Sequence, residues 1–204
     1  LLQIDGNAVP VGDPNPELPA EKVLIAEEWA EAIEKAALTL TPLAPINASF
    51  GRPLSLEEAY IVQAAFDQRM SKRLGPVKAY KMAFASEASQ KKWGVDAPVS
   101  GAFFKKQEVK SGGTVKAEDF IGFHIETEIA FKLKKDIRKP VKSVDELMPY
   151  LESVHVGLDV PDLRYDMSAG KLTLGDIVAM GCGAHTWVLG KGASPKGLDY
   201  TKIQ

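Results

Sequence analysis

Two glutamates separated by one residue are candidate ligands of a metal ion. Glu126 and Glu128 lie in segment 123–131, where apolar and polar residues alternate, a pattern that predicts a β-strand. Successive side chains of a strand point to opposite faces. The alternation therefore predicts one face with Phe123, Ile125, Thr127 and Ile129, and another with His124, Glu126, Glu128 and Ala130. The two carboxylates would lie side by side, with their Cα atoms roughly 7 Å apart.

This spacing predicts a site for a hard cation. Between apolar neighbours in a core strand, two like charges are costly unless a cation neutralises them. Ligation by oxygen alone suits Mg²⁺ or Mn²⁺, with Ca²⁺ as a substitute, rather than zinc. His124 shares the acidic face, where it could orient a carboxylate or move protons. The alternative is a solvated sheet face with a structural histidine, and a third oxygen ligand would decide between the two.

The elements before this strand are predicted to be helical. Residues 1–19 are rich in proline and predict an extended arm. Apolar residues recur at helical spacing from Pro19 to Thr39, and a second helix starts at Ser55, with Glu58 as its capping-box partner. Gly75-Pro76 ends that helix. Residues 20–76 thus form a helical part, whose two helices are expected to pack together.

The rest of the chain, residues 77–204, is predicted to be mostly β-structure. Strands are expected at 77–85, 121–134 and 156–160, a glycine-broken strand pair at 177–189, and a short helix from Ser143 to about His155. Helices followed by a mixed, mostly β body indicate an α+β fold.

Composition narrows the functional class. The chain has 204 residues, a formal net charge of −2 and one cysteine, Cys182. A single cysteine excludes a disulfide framework, and Cys182 is expected to be a buried thiol. The small net charge provides no overall attraction for nucleic acid or an anionic membrane. The sequence contains no apolar run of the roughly 20 residues that span a bilayer. We expect a cytoplasmic protein, with the alternative of an exported protein whose signal peptide has been removed.

Four motifs occur in register along the chain. They are LSLEEAYIVQ at 54–63, AYKM at 79–82, GVDAPVSG at 94–101 and the Glu126-x-Glu128 strand. With this order and spacing, the chain from about Trp29 to Gly190 resembles the 2-oxopent-4-enoate hydratase and 4-oxalocrotonate decarboxylase branch of the fumarylacetoacetate hydrolase superfamily. The resemblance implies the rolled or sandwiched sheets of that fold, with residues 77–204 as the metal-binding domain. Relatives continue for several more strands and a helix, which would make Gln204 a truncation.

The resemblance also implies site residues. The third metal ligand would be Asp159, where the family usually has Glu, and the alternative is a turn-capping Asp before Pro161. Lys81 would face the substrate, and Asp96 would lie in a loop near the pocket; the alternatives are a surface lysine and a turn-forming Asp. Asp162 and Arg164 are expected to form a structural ion pair.

The resemblance further implies the reaction class. A small 2-oxo acid or 2-hydroxydienoic acid would react through a metal-stabilised enolate, with Lys81, Asp96 and His124 as catalytic residues and a homo-oligomer as the assembly. We favour a hydratase; decarboxylase and C–C hydrolase activities of the same superfamily stay open. Met180 and Gly181 stand where relatives usually have Asp-Asn. This departure keeps open a catalytically degraded relative that only binds a 2-oxo acid.

Overall fold

The computed structural model describes residues 3–4, 7–8 and 20–200. Most of the predicted arm at 1–19 lies outside these residues, apart from strands β1 (Gln3–Ile4) and β2 (Asn7–Ala8), which pair antiparallel. The remainder combines helices with antiparallel sheets, so the α+β prediction is confirmed. None of the described helices is both long and apolar enough to cross a membrane.

Two long helices form the helical part, as predicted. Helix α1 is Ala20–Thr39 and α3 is Leu56–Leu74, with the short α2 (Ile46–Phe50) between them. The carboxylate of Glu34 on α1 accepts hydrogen bonds from Arg69 and Arg73 on α3, each 2.6 Å long. Apolar contacts accompany these bonds, because Ile33 and Phe66 are buried in the same cluster.

The predicted capping box starts α3. The backbone N–H of Glu58 donates to Ser55 Oγ at 3.2 Å, and the N–H of Ser55 donates to Glu58 Oε2 at 2.9 Å. The Glu58 carboxylate also accepts bonds from Arg52 at 2.8 and 2.9 Å. Hydrogen bonds from Arg52 and Ser55 lower the pKa of Glu58 to about 2, because they favour the ionised form.

Two sheets follow the helices. Strand β3 (Val77–Ala83) pairs antiparallel with β4 (Val99–Phe104), and α4 (Glu87–Trp93) connects them. The second sheet has the order β5-β6-β7, all antiparallel, formed by β5 (Glu126–Leu133), β6 (Leu151–Val160) and β7 (Thr186–Leu189). Helices α5 (Val144–Leu147) and α6 (Leu174–Ala179) lie in its connections. Short 3₁₀ turns occur at Lys105–Gln107, Ala117–Asp119 and Met148–Tyr150.

The main core lies between α1, α3, α6 and β4. Val62 of α3, Phe104 of β4 and Val178 of α6 are almost completely buried there. Gln63 of α3 joins the same elements, since its Nε2 donates to Ser100 O and Val178 O, each at 2.8 Å. This side-chain amide ties a helix to the strand and the helix that support the candidate site.

Two predicted elements were wrong. The helix from Ser143 ends at Leu147 and a 3₁₀ turn follows, so Leu151 to His155 belong to β6, where they pair with β5. The first part of segment 177–189 is helical rather than a strand. Thr173 and Asp176 form a capping box that starts α6, a local signal that outweighs the β-branched residues after it.

Strand β5 was expected in the core, and this was also wrong. Its burial pattern is exposed at every position except Ala130. Ile129 is 36% exposed and Phe131 45% exposed. The sequence pattern reports which residues share a face, but it does not report whether another layer covers that face.

Candidate metal and substrate site

The register of β5 on β6 brings the predicted carboxylates to one face. Glu126 lies opposite Asp159, and Glu128 lies opposite Gly157. Directly opposed residues of an antiparallel pair project to the same side of the sheet. Glu126 and Asp159 are therefore a cross-strand pair, and Glu128 follows two residues along on the same side. Sequence spacing alone had linked only the two glutamates.

Lys81 reaches this acidic group from the other sheet. Its side chain is only 9% exposed, so the surface alternative is wrong. The ammonium forms an ion pair with Asp159 Oδ2, and its Nζ lies 3.6 Å from Glu126 Oε2. Strand β3 thus carries the positive charge, and β5 and β6 carry the negative charges.

A close backbone contact lies beside Lys81. Gly101 is opposite Lys81 in the β3–β4 pair. A Cβ atom at position 101 would lie 2.0 Å from the carbonyl oxygen of Gly181 and 3.4 Å from Cys182 Cβ. Only glycine permits this approach, so the turn between α6 and β7 lies directly against β4 next to the lysine.

Burial raises the pKa of two of the three carboxyl groups. Asp159 is 3% exposed, and its burial raises its pKa to about 6, with Lys81 opposing the shift and the two glutamates adding to it. Partial burial, and then the charge of Glu126, raise the pKa of Glu128. Asp159 Oδ1 is buried without a hydrogen-bond partner. Three acidic groups thus share one ammonium, an arrangement that a further cation would stabilise.

The donor set fits a hard divalent cation. Carboxylate oxygens are the ligands that Mg²⁺ and Ca²⁺ prefer, and Asp159 Oδ1 is a buried acceptor without a donor. Among the described residues, however, no three His, Cys, Asp or Glu side chains converge as a closed metal site. The Lys81 ammonium contacts both Asp159 and Glu126, and it partly neutralises their charges where a metal cation would do so.

His124 lies on the acidic face, and Asp96 lies in an exposed loop. The bridge between Phe123 and Asp162 continues the strand pairing, so His124 is on the same side as Glu126. Its Nδ1 is 2.9 Å from Gly122 O. A carbonyl can only accept, so Nδ1 carries a proton, and in the neutral imidazole the lone pair is then on Nε2. Asp96 is exposed in the loop before β4, and within residues 20–200 it forms no ion pair with Lys81.

The turn that departs from the family pattern is apolar and buried. Met180 is fully buried, and Gly181, Cys182 and Gly183 all have positive φ, at 70°, 52° and 72°. Cys182 is buried, as predicted, and its burial raises the pKa of the thiol to about 12. The turn therefore supplies backbone and apolar contacts beside Lys81.

Asp162 and Arg164 form the predicted structural pair and hold two segments beside the site. Each is 1% exposed, and Arg164 Nε is 3.5 Å from Asp162 Oδ2. Asp162 Oδ1 accepts hydrogen bonds from the N–H groups of Ile121 and Gly122, both 2.8 Å long. Arg164 donates to the carbonyl of Met180 at 3.1 Å, and also to that of Ala184. The pair connects the entry of β5 to the turn before β7.

Sequence reasoning did not single out Asp67 on α3, a partly buried acid. Its Oδ1 is buried without a hydrogen-bond partner, and burial raises its pKa to about 7. The pKa of Tyr80 is raised mainly by burial, and the charge of Asp67 raises it further. Asp67 is four residues after the buried Gln63, and this helical spacing was the available signal.

Comparisons with known proteins identify relatives of this chain. No family model matches it. It is 31% identical over 181 residues to a 2-hydroxypent-2,4-dienoate hydratase of Pseudomonas putida, covering 88% of this chain and 80% of that protein. It is 26% identical over 178 residues to a 2-keto-4-pentenoate hydratase of Paraburkholderia xenovorans, covering 87% of this chain. The chain spans only 65% of the length of this second relative.

Two solved structures have the same fold. Both are of 4-oxalocrotonate decarboxylase from Pseudomonas putida G7, one complexed with magnesium and adipate and the other with calcium and acetate. The first superposes with a TM-score of 0.79 at 26% identity, and the second with 0.78 at 25%. In each case the match covers 91% of this chain and 68% of the other.

Proposed function

Because the chain belongs to the hydratase and decarboxylase branch of the fumarylacetoacetate hydrolase superfamily, we propose that it is a divalent-metal-dependent lyase that hydrates a 2-hydroxydienoate. The observation that supports this most directly is the group formed by Lys81, Glu126, Glu128 and Asp159. Three carboxylates share one side of the β5–β6–β7 sheet, and a nearly buried ammonium reaches two of them from β3 in the other sheet. A buried aspartate with a raised pKa, whose Oδ1 is an acceptor without a donor, is typical of a site that a ligand completes.

Glu126, Glu128 and Asp159 would hold the cation. When bound, a divalent cation supplies positive charge that stabilises negative charge developing on the 2-oxo oxygen of the substrate. We propose Mg²⁺ as the cation because one solved structure of a relative contains magnesium. Ca²⁺ is the proposed substitute because another contains calcium. Mn²⁺ has the same preference for oxygen ligands and stays part of the proposal.

Lys81 binds the anionic substrate. Its side chain is 9% exposed and already pairs with carboxylate oxygens, so its ammonium is held where it can donate to a substrate carboxylate. Lys81 thus fixes the orientation of the acid before any bond changes.

His124 moves the proton. In the hydration, the proton of the 2-hydroxyl group leaves and a proton adds to the terminal carbon, C5, which gives a conjugated 2-oxo-3-enoate. The hydroxyl group of water then adds to C4 and the remaining proton of water adds to C3, which gives a 4-hydroxy-2-oxo acid. His124 Nδ1 is anchored on Gly122 O, and Nε2 has the lone pair that accepts a proton. We assign this step to His124 because it shares the face of Glu126, whereas Asp96 is exposed in the loop before β4.

Two other functions have specific support. A decarboxylase is supported by the similarity to 4-oxalocrotonate decarboxylase. A relative that binds a 2-oxo acid without turnover is supported by the buried, apolar Met180 and the backbone contact of Gly181. C–C hydrolysis shares the same enolate chemistry but has no further support here. The expectation of a homo-oligomer rests on the resemblance alone.

A metal titration tests the site. At a concentration of 100 times Kd, Mn²⁺ that binds only the native state raises the free energy of unfolding by about 2.7 kcal/mol, and the melting temperature rises with it. We expect this rise in the wild type, and we expect Glu128→Gln and Asp159→Asn to abolish it. A wild type that shows no rise would rule out the metal site.

Glu152→Gln is the matched control for these variants. Glu152 was expected on a helix, but it lies on β6, exposed and paired with Lys132 at 2.7 Å. Seven residues of strand separate it from Asp159, or roughly 23 Å. The variant should retain the whole Mn²⁺-dependent rise.

Turnover distinguishes the three functions. Loss of dienoate absorbance with Mg²⁺ or Mn²⁺ indicates a hydratase, and release of carbon dioxide from 4-oxalocrotonate indicates a decarboxylase. Metal-dependent binding of oxalate without either reaction indicates a binding protein. Lys81→Met should abolish turnover in the first two cases and leave the Mn²⁺-dependent rise in melting temperature.

A further inference from the structure

A serine and a histidine form a hydrogen-bonded pair at the other end of β6. Ser153 Oγ and His155 Nε2 are 2.8 Å apart, and both residues are partly buried. The other ring nitrogen, Nδ1, is 2.9 Å from the carbonyl oxygen of Gly190. Because they are two residues apart in a strand, the two side chains project from the same face.

The contacts determine the direction of the hydrogen bond. The carbonyl of Gly190 can only accept, so Nδ1 of His155 carries the ring proton and donates it. In the neutral imidazole, Nε2 then has the lone pair, and the Ser153 hydroxyl donates to it. This is the direction in which an imidazole removes a proton from a serine nucleophile, with a third group orienting the ring.

The surrounding chain holds the imidazole in place. The N–H of Val154 donates to the carbonyl of Ala193 at 3.0 Å, and the N–H of Ala193 donates to the carbonyl of Val154 at 2.8 Å. Segment 190–193 therefore lies along β6 beside the ring. A Cβ atom at Gly192 would lie only 2.7 Å from His155 Cε1, so glycine allows the backbone to pack on the imidazole.

A β-bulge determines the position of the serine. Lys132 is opposite Ser153, whereas the next residue, Leu133, is opposite Leu151. Glu152 is thus an extra residue in β6, and such bulges re-aim the side chains beside them. Lys132 Nζ donates to Glu152 Oε1 at 2.7 Å, which keeps a positive charge on the face of the serine.

The pair lies on the same face of β6 as the candidate metal site, with Gly157, which is opposite Glu128, between His155 and Asp159. The hydrogen bonds of the pair are to each other and to Gly190, not to the proposed metal ligands. His155 precedes Asp159 by four residues of β6, or roughly 13 Å. Neither Ser153 nor His155 has a role in the proposed hydration. The pair therefore requires its own explanation, either a structural hydrogen bond or a second chemical function.

We propose that Ser153 is a nucleophile, activated by His155, that accepts the acyl group of an activated carboxylic ester. Ser153 Oγ attacks the carbonyl carbon, and its proton moves to His155 Nε2. The bond from that carbon to the leaving alkoxide or phenolate oxygen breaks, and the leaving group takes the proton from His155. An acyl-serine and a free alcohol or phenol result, and Lys132 stabilises the negative charge that develops on the carbonyl oxygen.

A fluorophosphonate probe tests the nucleophile. Ser153 Oγ would bond to phosphorus, fluoride would leave, and the hydroxyl proton would pass through His155 to solvent. After trypsin digestion, Ser153 lies in peptide 143–164 together with Ser143, whose hydroxyl accepts a bond from the N–H of Glu146 at 3.2 Å. Ser143 is therefore an internal control that has no imidazole partner.

We expect the label on Ser153 and not on Ser143 in the wild type. His155→Gln cannot accept the proton and should slow labelling about 100-fold, and Ser153→Ala should remove both the label and any release of nitrophenolate from 4-nitrophenyl acetate. The control variant is Ser168→Ala, because the hydroxyl of Ser168 bonds to Asp166 and not to an imidazole. In this variant, Ser153 should be labelled as fast as in the wild type.

The proposal fails if Ser153 is labelled no faster than Ser143. This comparison is made within wild-type protein and does not depend on the folding of any variant. Equal labelling rates in wild type and folded His155→Gln would also overturn it. The reaction needs no divalent metal, so labelling should persist in EDTA. Its failure and the failure of the proposed hydratase are therefore distinguishable.

Discussion

Asp159 and Asp162 are three residues apart, and both are almost completely buried, at 3% and 1% exposure. Their surroundings differ. Asp162 Oδ1 accepts two backbone N–H groups, and Oδ2 faces Arg164 at 3.5 Å. Asp159 has Lys81 as its cation, but Oδ1 has no donor and the neighbouring glutamates add negative charge. Asp162 therefore connects segments of the fold, whereas Asp159 has a carboxylate oxygen that can still bind a ligand.

The difference shows how a fold separates a structural charge from a functional one. A buried carboxylate with hydrogen bonds and a counter-charge stabilises one arrangement of the backbone. A buried carboxylate with an unused acceptor and a raised pKa has free energy to gain from a ligand. The supporting contacts of Asp162 thus hold the segments beside Asp159, whose own contacts are incomplete.

The largest expected effect is from Asp162→Asn. This change leaves the guanidinium of Arg164 buried without its counter-charge, which costs about 3–5 kcal/mol of unfolding free energy. Urea unfolding at pH 7 measures the loss. Asp136→Asn, which breaks an exposed pair with Arg138, is the control and should leave stability unchanged. Equal stability of wild type and Asp162→Asn would contradict the structural role.

A medium effect is expected from His185 at low pH. Burial, and then the charge of Arg164, lower the pKa of His185 to about 4, and its ring packs on Phe120 with centroids 4.1 Å apart. The unfolded histidine takes up a proton near pH 6.5, but the native one does not until about pH 4. Its contribution to stability is therefore complete above pH 6.5 and is lost as the pH falls towards 4, by up to about 3 kcal/mol.

His185→Gln measures this contribution. The difference in unfolding free energy between wild type and variant should decrease steadily from pH 7 to pH 4.5. Taking the difference removes the effect of carboxyl groups that titrate in both proteins. Parallel stability curves over this range would show that the buried imidazole does not cause the acid sensitivity.

The smallest expected effect is from Asp159→Asn. Burial already raises the pKa of Asp159 to about 6, so its ionised form is costly. Lys81 also keeps Glu126 at 3.6 Å as a counter-charge. Without divalent metal, we expect a change within about 1 kcal/mol, because removing a costly charge offsets the lost ion pair. A loss as large as that of Asp162→Asn would remove the distinction between the two aspartates.

Local signals predicted several parts of this structure. The capping box of Ser55 and Glu58 placed the start of α3, and Gly75-Pro76 placed its end. The alternation around Glu126 predicted the faces that the β5–β6 register confirms. These features depend on residues within a few positions of one another, so periodicity and capping chemistry suffice to find them.

Other parts needed contacts that are distant in sequence. The strand prediction failed at α6, where the pair Thr173 and Asp176 was not recognised as a cap. The sequence left open whether β5 lies in the core or forms a solvated sheet face, because a residue pattern does not show which layers pack together. The structure shows the solvated face. Asp67 was missed because its helical spacing from Gln63 indicates only a shared side of α3, and the burial of its carboxyl oxygen depends on how α3 packs.

The sequence by itself determined the α+β class, the long helices, the shared face of the two glutamates and, through four motifs in order, the family. Only the tertiary structure decided that Lys81 meets Asp159, that Asp159 and Asp162 differ in their surroundings, and that Gly190 orients His155. The physical reason is that charge and hydrogen bonding act over a few ångströms in space. Groups 35 to 78 residues apart along the chain meet only after strands and helices have packed.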